Sequence, residues 1–203
     1  MKMKKIVIFL AASSLILPSL SAQEMTEKKI EQNDFSTVLL KDDFEKRIPG
    51  NWQSGKGKFF HDDDSGIDDT ASAALDLDGS TGKSMRFLIS FPPKDFEFFK
   101  ATISYKAEDF PAPTRNNSWR RIAFSIQWQG PVGNPPKNDW LDKSTATVKY
   151  EKINTDGKWH KLTVYGRRPK VPFTRVFVLF GTDGAAKGSV YFDNVEVRGA
   201  KGN

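Results

Sequence analysis

Residues 120–128 read RRIAFSIQW. Ile122, Phe124, Ile126 and Trp128 fall on one parity, and Arg121, Ala123, Ser125 and Gln127 on the other. A pleated strand produces this alternation when one face meets a core and the other meets water. The same pattern recurs on both sides. FKATISYK (99–106) sets Phe99, Ala101, Ile103 and Tyr105 against Lys100, Thr102, Ser104 and Lys106. SMRFLISF (84–91) sets Met85, Phe87, Ile89 and Phe91 against Ser84, Arg86, Leu88 and Ser90. HKLTVYG (160–166) sets Leu162 and Val164 against Lys161, Thr163 and Tyr165. TRVFVLFG (174–181) differs, because Val176 to Phe180 are all apolar; that strand is expected to be covered on both sides. Gly, Pro, Asp and Asn clusters separate the runs. The pattern predicts an all-β domain of nine or ten strands between Thr37 and Arg198, a two-sheet antiparallel jelly-roll sandwich.

The beginning of the chain reads differently. MKMKKIVIFLAASSLILPSLSA (1–22) places three lysines before an apolar run and ends in small residues, the pattern of a secretory signal peptide. Its apolar core, Ile6 to Leu17, is shorter than the roughly 20 residues a spanning helix needs, and no later stretch qualifies. Its brevity and lysine content look bacterial, and the product is expected to be secreted or periplasmic. Removing it leaves 181 of the 203 residues and, with its three lysines gone, lowers the formal net charge from +6 to +3. Residues 23–36, QEMTEKKIEQNDFS, read as a polar leader, and 37–199 as a single sandwich domain.

The composition restricts the chemistry. Arg120-Arg121 and Arg167-Arg168 are isolated pairs, so the concentrated basic stripe of a nucleic acid binder is missing. There is no cysteine for a disulfide, a zinc cluster or a nucleophile. GSTGKS (79–84) resembles the end of a phosphate-binding loop, but Leu77 stands where that motif needs its first glycine. HDDDSGIDD (61–69) fails as an EF-hand loop: counting from Asp62, the sixth residue is Ile67 and the twelfth Ala73. Paired carboxylates for glycoside hydrolysis find no apolar strand context apart from Asp193. A non-enzymatic role follows as the expectation.

GSVYFDNVEV (188–197) begins as an alternating strand and then slips phase, with Asp193 at the slip. A slip of this kind marks a β-bulge, which re-aims a side chain. A carboxylate there either hydrogen-bonds to a neighbouring turn or binds a metal, because burial without a partner is costly.

Together with LLKDDFEKRIPGNWQSGKG (39–57), this strand resembles the two ends of a galactose-binding-like jelly roll, more narrowly the carbohydrate-binding modules appended to secreted glycoside hydrolases. The matching residues are Phe44-Glu45, Gly50 and Trp52 at one end and Phe192-Asp193-Asn194-Val195 at the other, with DGKWHKLTVYG (156–166) between. The resemblance implies that the first and last strands lie together and hold a structural calcium through Asp43 or Glu45 and Asp193. It departs at Lys46-Arg47-Ile48-Pro49, where an ion pair to Glu45 would serve instead. It also implies a carbohydrate partner, with a glycoside hydrolase acting nearby. The protein is expected to be monomeric. Sugar binding uses flat aromatic faces beside polar groups. Trp119 shares the parity of Arg121 and Gln127, and Trp140 ends a loop rich in Pro and Gly. Trp119, Arg121, Gln127 and Trp140 are therefore the expected ligand-binding residues, unless both tryptophans plug the ends of the sandwich. The alternatives are an adhesive sandwich that binds a protein at the cell surface and a small jelly-roll glycan hydrolase or lyase.

Overall fold

The computed structural model describes residues 22–46, 58–79, 85–90, 95–112, 116, 121–133, 135–141, 146–147, 152–183 and 187–202. One helix, α1 (Ala22–Glu31), precedes eleven strands: β1 (Thr37–Asp42), β2 (Lys58–Asp62), β3 (Ser72–Asp78), β4 (Met85–Ser90), β5 (Phe98–Glu108), β6 (Arg121–Val132), β7 (Lys137–Trp140), β8 (Ala146–Thr147), β9 (His160–Arg167), β10 (Arg175–Asp183) and β11 (Lys187–Ala200). Nine of them run five residues or more. All pairings are antiparallel.

Two sheets form the sandwich. One has the order β2-β3-β11-β5-β9, with β1 also on β11; the other has the order β4-β10-β6-β7, with β8 on β6. The alternating runs point inward as the pattern requires. Phe99, Ala101, Ile103 and Tyr105 of β5 face Ile122, Phe124, Ile126 and Trp128 of β6 across the core, and all eight are fully buried. The Phe180–Phe192 and Phe99–Trp128 ring pairs, 5.1 and 6.1 Å between centroids, join the sheets. Each such side chain removed from water contributes roughly 1.5–3 kcal/mol. In β4, the register sets Met85, Phe87 and Ile89 opposite Thr182, Phe180 and Val178.

β10 is covered on both sides, as its unbroken apolar run predicts. Val176, Val178 and Phe180 enter the core. Phe177 and Leu179 face outward into a smaller cluster with Ala123 and Trp140.

β11 is the longest strand, and it changes neighbour along one edge. Lys187 to Phe192 pair with β3, whereas Val195 to Gly199 pair with β1. β5 pairs with its other edge, where the register slips between Asp193 and Glu196. Asn194 takes a positive φ of 51° there. The phase slip in the sequence is thus a bulge at the point where β3 leaves off and β1 begins. The first and last strands are direct partners.

The polar segment before β1 packs on the sandwich. Ile30 of α1 is buried, and the Tyr165 hydroxyl of β9 donates to Glu31 Oε1 at 3.1 Å. Phe35 meets the Tyr165 ring at 5.9 Å, and Lys152 pairs with Glu27 at 3.6 Å. Burial, then the Glu31 carboxylate that accepts its hydrogen bond, push the Tyr165 hydroxyl up to about 12.

Candidate functional site

Two places in this frame concentrate polar chemistry. The first is the outer face of the five-stranded sheet. Residues of β6 that alternate with the core set face outward: Ala123, Ser125, Gln127 and Gln129. The register aligns Trp140 with Gln129 and Arg175, and Gln127 with Phe177. β7 and β10 lie on opposite sides of β6, about 10 Å apart by strand spacing, yet the Trp140 and Phe177 rings meet edge-on at 5.5 Å and 61°. The indole must therefore lie across β6. It is half-buried, while Ala123, Ser125 and Leu179 on the same face are buried. Beside it, Gln127 Nε2 donates to Ser125 Oγ at 3.1 Å, which orients the amide and leaves its carbonyl oxygen as an acceptor.

The β9–β10 connection braces this end of the face. Thr174 N–H donates to Gln129 O at 2.8 Å, and the Thr174 hydroxyl to Asn138 Oδ1 at 2.8 Å. Gly130 permits the approach, since a Cβ there would stand 2.5 Å from Pro172 O.

Of the four expected ligand-binding residues, Gln127 and Trp140 come together. Arg121 begins β6 opposite Asp183, six residues and about 20 Å up the strand from Gln127. Trp119 lies outside the described residues. Phe177, Gln129 and Arg175 complete the face. Gln129 continues the parity of Gln127. Phe177 was hidden inside a run read only as buried.

The second place is the β11 bulge. Asp193 is 1% exposed. Its Oδ2 accepts from Ile67 N at 3.0 Å and its Oδ1 from Asn194 N at 2.6 Å. The segment 63–71 carrying Ile67 folds over the bulge through a 3-10 turn at Ile67–Asp69 and a Gly66 N to Thr70 O bond of 2.6 Å. Ala71 N donates to Glu45 Oε1 at 3.2 Å, which ties the same segment to the chain after β1. His61 Nε2 donates to Phe44 O at 2.6 Å, and its Nδ1 lies 2.8 Å from Asp63 Oδ1. Burial pushes the Asp193 carboxyl above the usual carboxylate range. Its two backbone donors oppose the shift, and the nearby Glu45 and Asp43 charges add to it. Asp43 is exposed and accepts from Glu45 N at 3.4 Å. Among the described residues, no three His, Asp or Glu side chains converge as a metal-binding group. The hydrogen-bonded turn expected as one partner for Asp193 is present, 126 residues away in sequence. Lys46 is exposed; Arg47, Gly50 and Trp52 lie outside the described residues.

No family model and no curated relative matches the chain. Solved structures do share its fold. A CBM22-1 xylan-binding domain from Paenibacillus barcinonensis Xyn10C superposes with a TM-score of 0.52 at 19% identity, covering 84% of this chain and 97% of that one. The CBM22-2 xylan-binding domain of the same protein gives 0.54 at 14%, covering 79% and 99%. A structure described as Family 16 Carbohydrate Binding Module-2 gives 0.50 at 14%, covering 72% and 89%. The fold is the jelly roll of carbohydrate-binding modules, in agreement with the resemblance read from the two ends of the chain. Among the described residues, no helix is long and apolar enough to cross a membrane.

Proposed function

We propose that this is an exported, non-catalytic carbohydrate-binding protein that holds a poly- or oligosaccharide across the outer face of its five-stranded sheet. The observation that carries the reading is the Trp140 indole lying over β6 against Phe177, with the oriented Gln127 amide beside it. An indole face packs on the C–H face of a pyranose, and an amide donates to and accepts from sugar hydroxyls. Trp119 and Arg121 are proposed as further ligand contacts. The names of the structural neighbours, two of them xylan-binding domains, support a glycan ligand and make xylan a first one to try.

A calcium ion belongs to the same reading. Asp193, with Asp43 or Glu45 and backbone carbonyls, offers the hard oxygen donors that calcium takes. The mutual repulsion of these carboxylates is what a cation would relieve. Calcium so placed would tie the chain after β1 to β11.

A glycan array with residues 23–203 tests the function. Specific binding that falls tenfold or more in Trp140→Ala is expected, the magnitude of a central aromatic anchor. A folded protein that binds no glycan, but captures a cell-surface protein, would replace this reading with the adhesive one.

A further inference from the structure

At the end of the sandwich, residues 168–174 line an open cleft of about 620 Å³ through Arg168, Lys170, Val171, Phe173 and Thr174, and Asp95 lines it as well. A second lobe of about 510 Å³ carries it past Glu97 to Lys201. The cleft reaches the end of the Trp140 strand pair at Thr174, which donates to Gln129 O and Asn138 Oδ1 and precedes Arg175 in the register row of Gln129 and Trp140.

Its charge is unbalanced. Arg167 is committed to Glu97, with Nε 2.9 Å from Oε1. Arg168, Lys170 and Lys201 have no carboxylate partner among the described residues, and Asp95 is the one remaining acid in the lining. Arg168 is also held in place. Its backbone N–H donates to Glu97 O at 2.8 Å, and its guanidinium lies over the Phe173 ring at 5.1 Å. Stacking occupies the guanidinium face and leaves its N–H fork for a planar or tetrahedral oxyanion. Val171, 52% exposed between Pro169 and Pro172, gives the cleft an apolar wall. A neutral sugar would use that wall and leave the cations solvated.

We propose that the glycan bound across the Trp140 face is acidic, bearing carboxylate or sulfate groups, and that Arg168 and Lys170 receive one of those groups in the cleft. This rests on the carbohydrate-binding reading of Trp140. Affinity electrophoresis of residues 23–203 against a polyuronate, a sulfated galactan, neutral galactan and neutral xylan tests it, the first two separating carboxylate from sulfate as the source of charge. At least one acidic polymer is expected to bind about tenfold tighter than the neutral ones at low salt, a gap of about 1.4 kcal/mol. The gap narrows at high salt, because exposed ion pairs are screened. Arg168→Gln with Lys170→Gln, both on the surface, erases the preference, leaves any neutral binding unchanged and lowers the melting temperature by no more than about 4 °C, the loss of one exposed cation–π contact. Trp140→Ala weakens binding of both kinds tenfold or more. Neutral binding with no acidic preference, or a preference that survives the double variant, overturns the acidic-ligand inference and keeps the carbohydrate reading. Binding of no polymer overturns both.

Discussion

Replacing Asp193 should loosen the segment that covers the bulge. The carboxylate accepts two backbone hydrogen bonds, from Ile67 and Asn194, and is 1% exposed. Hydrogen bonds to a charged group are worth roughly 1.5–3 kcal/mol each, and a buried donor left unpaired bears its full desolvation cost. Against this stand the burial of the charge and its repulsion by Glu45 and Asp43. The net expectation for Asp193→Ala is a loss of about 2–4 kcal/mol. In a domain of this size that is a fall of roughly 5–12 °C in Tm. Asp193→Asn keeps one acceptor oxygen but turns an NH2 toward a donor, and is expected to cost about half as much. Urea and thermal unfolding measure both. The carboxyl is raised in the folded state, so its charged form carries a cost at neutral pH. That cost disappears as pH falls through the raised value toward the unfolded one. The stability margin of the parent over Asp193→Asn should therefore widen on acidification across that interval. If calcium binds, the parent gains about 2.7 kcal/mol at a hundredfold excess over Kd and Asp193→Ala gains nothing. Variants melting with the parent would refute the reasoning, because the carboxylate would then not be what holds 63–71 to β11. A parent indifferent to calcium and EDTA would remove the ion and leave the backbone donors as the partners of Asp193.

Two further outcomes are expected. Deleting residues 23–35 removes Glu27 and Glu31 and uncovers β9, so the Tyr165 hydroxyl should move from about 12 toward its ordinary 10.0 in ultraviolet titration, read as the difference from Tyr165→Phe; an unchanged titration would mean that α1 does not cover this tyrosine. Gly188, the second residue of β11, has a φ of +113°, and a Cβ there would lie 2.5 Å from the carbonyl oxygens of Glu108 and Asp109. Gly188→Ala should cost about 2–3 kcal/mol in urea unfolding, from backbone strain and the clash together; a cost near zero would show that β11 does not approach the end of β5 this closely.

What was legible in the chain follows from periodicity. Alternation at Phe99 to Tyr105 and Ile122 to Trp128 assigned the inward sets correctly, because a side chain shifted by one position along a strand changes face. The unbroken run from Val176 to Phe180 announced a strand with two covered sides, but not that Trp140 reaches over β6 to supply the second cover. α1 was read as a polar leader because its composition is polar. Its packing depends on Ile30 and on Tyr165, which lies far along the chain.

The same division holds at both sites. The sequence by itself determined an all-β sandwich, its core faces and a bulge at Asp193, since each is a local pattern imposed by the pleat and the exclusion of apolar groups from water. Only the tertiary structure decided what meets across space: Ile67 with Asp193, Trp140 with Phe177, and Thr174 at the cleft with Gln129 and Asn138. Those pairings join residues on strands and loops remote in sequence, and no period in a single chain records which strand edges become neighbours when two sheets close over one core.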